Sequence, residues 1–191
     1  MSVYEIILKR RTIRRFKQEP LSLELLEKLV NAGRLAPSGA NLQPLEFIIV
    51  DDPEMVNKVF PALKWAGYIA PAGNPPEGKR PVAYIVVLVN TQIKSGNGSV
   101  DAAAAIENMI LTALEENVGS CWLGSIDRNQ LRSVFDIPQH YQIDSVVALG
   151  YPDESPVVEE VKDSIKYWKD DQGVLHVPKR RLSDIVHYNR F

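Results

Sequence analysis

The sequence predicts a single α/β or α+β domain in which helices cover a β-sheet. Segments with a helical spacing of apolar residues alternate with short apolar runs such as "YIVVLV" at 84–89. The chain has 191 residues, of which 45% are apolar and 24% are charged, and this is enough to build one hydrophobic core. No linker or repeat divides it, so we expect one domain over 1–191.

The first element is predicted from the apolar residues at the start of the chain. Val3, Ile6 and Ile7 follow helical spacing, which predicts a short helix that ends near Arg11. Arg10 continues the same face, so we expect its guanidinium to be carried inward.

The next elements are predicted from alternation and from a cap. The residues of Thr12–Phe16 alternate in character, which predicts extended chain after the helix. Ser22 is a typical N-cap for a second helix that runs to about Leu35. The segment "APSGANLQP" at 36–44 then ends this helix with Pro, Gly and Asn.

The rest of the chain alternates between short apolar strands and helices, and it contains two irregular segments. The irregular segments are a turn-rich excursion at 71–81 and a more polar C-terminal extension at 155–191. The predicted regular elements are the strands "EFIIVD" (46–51), "AYIVVLV" (83–89), "GSCWLGS" (119–125) and "DSVVALGYP" (144–152), and the helices "PEMVNKVF" (53–60), "SVDAAAAIENMILTALEEN" (99–117) and "RNQLRSVF" (128–135).

Charge and cysteine usage indicate a cytoplasmic protein that binds neither nucleic acid nor membrane. The net charge is −2, whereas a nucleic-acid-coating domain is normally basic throughout. The single cysteine, Cys121, cannot form an intramolecular disulfide, and we expect it to be buried and inert. The first residues form a charged amphipathic stretch unlike a signal peptide, and no apolar run is long enough to span a bilayer.

Three familiar site patterns are disfavoured. "GNPPEGK" at 73–79 matches the start of a phosphate-binding P-loop, but Arg80 follows where Ser or Thr is needed, and a strand follows where a helix is needed. There is no GxGxxG motif. The three histidines are far apart and lack partners at ligand spacing, so we expect no metal site.

The most unusual stretch is "RRTIRRF" at 10–16, which holds four arginines in seven residues. A guanidinium on an inward face is costly unless an anion or several acceptors meet it. A second basic cluster, "PKRR" at 178–181, lies near the other end of the chain. A bound phosphate would explain both clusters, and so would scattered surface ion pairs.

The loop at 36–44 carries compact polar side chains between a helix and a strand. Ser38, Asn41 and Gln43 could contact a ligand, since binding residues concentrate on loops that rigid elements hold. The same residues are also ordinary turn formers. The loop alone therefore leaves both interpretations open.

Taken in order, "RRTIRRF", "APSGANLQPLEFIIV", "GSCWLGS", "ALGYP" and the basic tail resemble the FMN-dependent nitroreductase family. The resemblance implies an α+β fold with a central mixed or antiparallel sheet flanked by helices, in an intertwined homodimer. It implies FMN as cofactor at the subunit interface and NADH or NADPH as reductant. It also implies a ping-pong reduction of a small-molecule oxidant, namely a nitroaromatic, a quinone or a flavin.

The resemblance also assigns flavin-binding residues, while it assigns no catalytic side chain. The first motif would contact the phosphate, ribityl chain and pyrimidine edge, the polar loop would reach over from the partner subunit, and the turn after "CW" would approach the ring. The implied residues are Arg10, Arg11, Thr12, Arg14, Ser38, Gly39, Asn41, Gln43, Lys79, Leu123, Gly124, Ser125, Lys179 and Arg181.

Two departures from the family pattern leave the substrate open. Leu45 stands where many relatives carry an aromatic residue, and the segment Trp65–Arg80, which helps to shape the substrate pocket, is short. Alternative functions are a flavin-binding module without turnover, a flavin- or halide-processing relative of the same fold, and a nucleic-acid or acidic-protein interface.

Overall fold

A four-stranded antiparallel sheet forms the centre of the protein. The structure is a computed structural model that describes residues 1–191. Every strand pair in it is antiparallel, and the order across the sheet is β1-β2-β4-β3. The α+β class implied by the resemblance is therefore confirmed. The strands are β1 (Leu45–Val50), β2 (Ala83–Asn90), β3 (Gly119–Leu123) and β4 (Tyr141–Gly150).

Helices and connecting segments cover both faces of this sheet. One face packs with Leu26 and Met109 from two of the helices, and the other packs with Val59, Leu131 and Trp65. All five of these side chains are buried. The helices are α1 (Val3–Lys9), α2 (Leu23–Arg34), α3 (Pro53–Val59), α4 (Gly98–Glu115) and α5 (Arg128–Phe135), with short 3-10 helices at Gly39–Asn41, Phe60–Ala62, Gly67–Ile69 and Leu182–Asp184.

The helix starts follow the predicted capping signals. The Ser22 side chain accepts a hydrogen bond from Leu25 N–H at the start of α2, as expected for an N-cap. Asp52 caps α3 in the same way, and Pro53 occupies the first turn, where its missing N–H costs nothing.

The first helix differs from its prediction in length and in burial. It ends at Lys9, and Arg10 is its C-cap, so the helix does not reach Arg11. Ile6 alone is buried, whereas Val3 is 67% exposed and Ile7 is 47% exposed. Within one chain, the prediction that Val3 and Ile7 share the buried face was wrong, because only Ile6 of this short helix is buried.

The C-terminal extension contains a second sheet, which the sequence did not predict. Three short strands pair in the order β5-β7-β6, with β5 (Val157–Glu160), β6 (Trp168–Lys169) and β7 (Leu175–Lys179). They are two to five residues long, and β5 pairs in parallel with β7, beyond the intervening β6. Such strands give almost no periodic signal.

No helix combines the length and the apolar character that crossing a bilayer requires.

Candidate functional site

The arginine motif runs as extended chain along the outer edge of β3. Ile13 N–H donates to Ser120 O at 2.9 Å, and Thr12 forms a bridge with Ser120. Phe16 N–H donates to Lys79 O at 3.0 Å, which closes the stretch against the segment before β2. The prediction of extended chain after the first helix is confirmed.

Arg10 and Arg11 line a cavity of about 240 Å³ between α1 and the start of β3. Gly119 and Ser120 also line it. Burial, followed by the neighbouring charge of Arg10, lowers the pKa of Arg11. Two guanidinium groups that repel each other in a partly buried cavity form a natural site for an anion.

The one carboxylate that lines this cavity, Glu154, already serves the backbone. Its Oε1 accepts hydrogen bonds from Arg14 N–H at 2.5 Å and from Arg15 N–H at 3.2 Å. It holds the extended motif in place, and neither Arg10 nor Arg11 forms an ion pair with it.

Arg14 lines a second, tighter space next to this cavity, and Glu154 lines both. It lies over the ring of Tyr167, with 5.4 Å from the guanidinium carbon to the ring centre, and its buried Nε has no protein acceptor. Arg15 and Lys169 line the same space. Burial, then the charge of Arg15, lowers the pKa of Lys169, and the nearby carboxylate of Glu154 only partly opposes this.

The polar loop after α2 is held by a buried ion pair. Asp101 on α4 accepts from Gly39 N–H at 3.1 Å and from Lys94 Nζ at 2.6 Å. Burial raises the pKa of Asp101, but these two donors outweigh it and hold the pKa below its usual value. Ser38 Oγ accepts from Gln43 N–H at 3.0 Å.

Left-handed backbone gives this loop its shape and exposes its side chains. Ala40, Asn41 and Gln43 have φ values of 52°, 56° and 50°. Gly39, Asn41 and Gln43 are exposed, and Ser38 and Gln43 line a cavity of about 160 Å³. The loop is therefore preformed and accessible.

The turn after β3 also presents open backbone. Leu123 is buried in the core, whereas Gly124 and Ser125 are exposed. A Cβ built at Gly124 would meet no atom within 4 Å, so a planar ligand could approach the peptide closely here. Ser125 O accepts from Lys64 N–H at 3.0 Å, which fixes the turn.

The three predicted basic residues elsewhere do not join Arg10 and Arg11. Lys79 pairs with Asp153. Arg181 Nε lies 3.2 Å from Glu160, and both of these side chains are largely exposed. Lys179 lies opposite Glu160 at the far end of β5, and neither Lys179 nor Arg181 lines the cavity of Arg10.

Within one chain, the arginine motif and the polar loop lie far apart. The motif follows β3 at one edge of the sheet, and the loop precedes β1 at the other edge. They also lie at opposite ends of the strands, because Ser120 aligns through Leu149 with Ala83, whereas Leu45 aligns with Val89. Standard strand spacings across and along the sheet give a separation of roughly 25 Å.

The sequence model of the nitroreductase family matches residues 7–151. The chain belongs to the nitroreductase family. A protein of Archaeoglobus fulgidus named NADH dehydrogenase/NAD(P)H nitroreductase is 34% identical over 166 residues, which are 83% of this chain and 90% of that protein.

Solved structures of nitroreductase relatives share the fold. One from Parabacteroides distasonis, with the same name as the archaeal relative, is 25% identical and superposes with a TM-score of 0.73 over 99% of this chain and 98% of its own. An FMN-dependent nitroreductase from Clostridium difficile is 27% identical, with a TM-score of 0.70 over 97% of this chain and 98% of its own.

The sequence did not predict two residues that support the site: Asp101, which holds the polar loop, and Tyr167, which lies against Arg14 of the arginine motif. Asp101 carried a usable signal, because a carboxylate within an otherwise apolar helix face requires a partner. Tyr167 gave no such signal, since it lies in the C-terminal extension, far from Arg14 in sequence. Cys121 is buried as expected, and burial raises its pKa to about 11.

Proposed function

We propose that this nitroreductase is an FMN-dependent NAD(P)H oxidoreductase. The observation that carries the proposal is the cavity where Arg10 and Arg11 meet without an ion-pair partner. The archaeal relative is named as an NAD(P)H enzyme, and the C. difficile relative is named as FMN-dependent. A flavin phosphate carries the charge and the oxygen acceptors that this cavity needs.

The residues present fit FMN in three respects. The paired guanidinium groups of Arg10 and Arg11 suit a phosphate, and Arg14 adds a buried, unpaired Nε–H farther along the motif. The open backbone at Gly124 leaves room for a flat ring. Lys179 and Arg181 are not needed in this arrangement.

We further propose that two copies of the chain share each site. The arginine motif and the loop of Ser38, Asn41 and Gln43 lie too far apart to bind one flavin within a single chain. A two-fold axis would bring the loop of one subunit to the motif of the other, since a symmetric contact uses the same surface twice.

Exposed apolar residues near the chain ends support this dimer. Val3 and Tyr4 on α1 are 67% and 68% exposed, and Leu182, Tyr188 and Phe191 in the tail are 74%, 82% and 104% exposed. Monomeric soluble proteins rarely expose so many large apolar side chains along two terminal segments. A second subunit would bury them.

In this proposal the protein binds and orients FMN and places positive charge around it. When bound, FMN supplies the electron chemistry between NAD(P)H and the second substrate. Arg10 and Arg11 hold the phosphate, while Arg14 places positive charge beside the ring. The proposed reaction requires no side chain of the protein to act as a general acid or base.

The proposed second substrate is a nitroaromatic, a quinone or a flavin. Each of these is a flat acceptor that could stack in the open space at Gly124. A screen that follows NADH and NADPH oxidation with one member of each class would rank them and would identify the preferred reductant.

The phosphate role is tested by comparing Arg10→Ala with Arg15→Ala. Arg10 lines the cavity, whereas Arg15 does not, although both changes remove one charge from the same motif. We expect Arg10→Ala to weaken FMN binding tenfold or more, since charge-assisted hydrogen bonds to phosphate are lost. Arg15→Ala should change it by less than about threefold. Fluorescence titration of stripped protein with FMN gives both constants.

Two further measurements separate the alternatives. The purified protein should be yellow and should bleach when NADH or NADPH is added without oxygen. Yellow protein that does not bleach would indicate a flavin-binding module, and equal FMN affinity in the two variants would contradict the phosphate role. Light scattering on dilution should show a dimer, and a monomer that keeps its flavin would contradict the shared site.

A further inference from the structure

A cavity of about 540 Å³ lies beside the end of β1 and the start of β2, and Gln18, which follows the arginine motif, is among its lining residues. The start of α3 forms one wall, and the segment before β2 forms the other. Pro53, Val56 and Phe60 give it an apolar surface. Its volume lies in the range of sites for small organic molecules.

Arg80 projects into this cavity in a fixed position. Its guanidinium lies over the ring of Phe60, with 4.2 Å from the guanidinium carbon to the ring centre. Gln18 Nε2 donates to Arg80 O at 2.9 Å and ties down the backbone. The buried Nε of Arg80 finds no acceptor in the protein, which leaves an N–H donor unsatisfied.

Tyr84 supplies a second unsatisfied donor on the same cavity. The residue is 0% exposed on β2, and its hydroxyl has no hydrogen-bonding partner in the protein. Burial raises the pKa of Tyr84, and the nearby charge of Arg80 only partly opposes this, so the hydroxyl keeps its proton. Such buried polar groups normally have partners, because leaving them unpaired costs free energy.

This cavity is separate from the proposed flavin site. Lys79 and Arg80 are consecutive, yet they point to different surroundings: Lys79 pairs with Asp153 beside the arginine motif, and Arg80 stacks on Phe60. No residue that lines this cavity also lines the cavity of Arg10. The inference below therefore does not depend on the proposed function.

We propose that this cavity is a second ligand site, which binds a small organic monocarboxylate. The carboxylate would accept hydrogen bonds from Arg80 and, once a side-chain shift opens the buried Tyr84 hydroxyl to the cavity, from Tyr84. The apolar body would lie against the Phe60 side. Asp51 and Glu77 also line the cavity and are exposed. Their negative charge disfavours phosphate and other multiply charged anions more strongly than it disfavours a monocarboxylate.

Benzoate is a suitable probe, and the flavin-loaded protein is the form to titrate. We expect isothermal titration calorimetry to show one benzoate per chain and no binding of benzyl alcohol, which has the same ring without the charge. Tyr84→Phe and Arg80→Gln should each weaken benzoate binding about tenfold or more, because each removes a donor to a charged acceptor. Lys58→Gln is the matched control, since it removes one positive charge from α3 outside the cavity.

Tyr84→Phe keeps the test decisive if Arg80→Gln does not fold, because it removes only a hydroxyl that has no partner in the protein. The proposal is overturned if benzoate does not bind, or if Tyr84→Phe binds it as well as Lys58→Gln does. Phosphate that binds as tightly as benzoate would also overturn it. Benzoate could also bind at the flavin. In that case it would shift the flavin absorption band and bind all variants equally, and this result too would overturn the proposal.

Discussion

Replacing Phe16 by alanine should detach the arginine motif from the body of the protein. Phe16 is 0% exposed, and its ring lies so close to Gly150 that a Cβ built there would be 3.0 Å from ring atoms. Its N–H donates to Lys79 O, and it forms a bridge with Pro152. It is the last buried anchor of the segment that carries Arg10.

The expected cost follows from this burial. Truncating a fully buried phenylalanine to alanine removes its transfer free energy and leaves a cavity, which together cost about 3–5 kcal/mol. Phe16→Leu keeps much of the volume and should cost about 1–2 kcal/mol. Urea unfolding at a fixed protein concentration measures both values, and FMN titration should show weaker binding in Phe16→Ala, although Phe16 does not line the cavity of Arg10.

An exposed apolar residue provides the control. Ile165 is 64% exposed, and Ile165→Ala should change the free energy of unfolding by no more than about 0.5 kcal/mol. A loss below about 1 kcal/mol in Phe16→Ala would refute the view that this ring anchors the motif. Unchanged FMN affinity in a clearly destabilised Phe16→Ala would refute the link between anchoring and binding.

Two other predictions concern titratable groups that hold the structure together. The hydrogen bond to Glu159 raises the pKa of His176 above its ordinary value of 6.5. The protonated ring should therefore stabilise the small C-terminal sheet fully below about pH 6.5, and this contribution should be lost as the pH rises through the higher folded-state pKa. An NMR titration of His176 with a midpoint below 6.5 would contradict this. Asp101→Asn removes the charge that pairs with Lys94 and should cost about 1–3 kcal/mol. It should also speed amide exchange at Gly39, and unchanged exchange there would show that the loop has another support.

The sequence was most informative where local signals and burial coincide. Ser22 predicted the start of α2 because a capping side chain acts within one turn. The uninterrupted apolar run at 83–89 predicted the strand β2, and all of these residues are buried. The disfavoured P-loop pattern at 73–79 lies in turns and bends before β2, in agreement with the prediction that a strand follows it.

The sequence was less informative where distant segments meet. It did not reveal that Arg14 would lie against Tyr167, or that Arg181 would pair with Glu160, since no local pattern encodes these contacts. It suggested that both basic clusters could surround one phosphate, whereas the structure brings Arg10 and Arg11 together and leaves Arg181 apart. Spatial convergence of charges depends on how the strands are ordered, and a charge pattern does not contain that information.

The diagonal placement of the arginine motif and the loop at 38–43 has a consequence for inheritance. In the proposed dimer, a substitution in the loop would damage the site that contains the partner's arginines. The site that contains the arginines of the substituted chain would stay intact, because its loop comes from the partner. Two differently defective copies could then assemble into a pair that retains one sound site. Natural selection on either segment would therefore act on the dimer. A descendant protein that lost dimerisation would need new residues in place of half of each site.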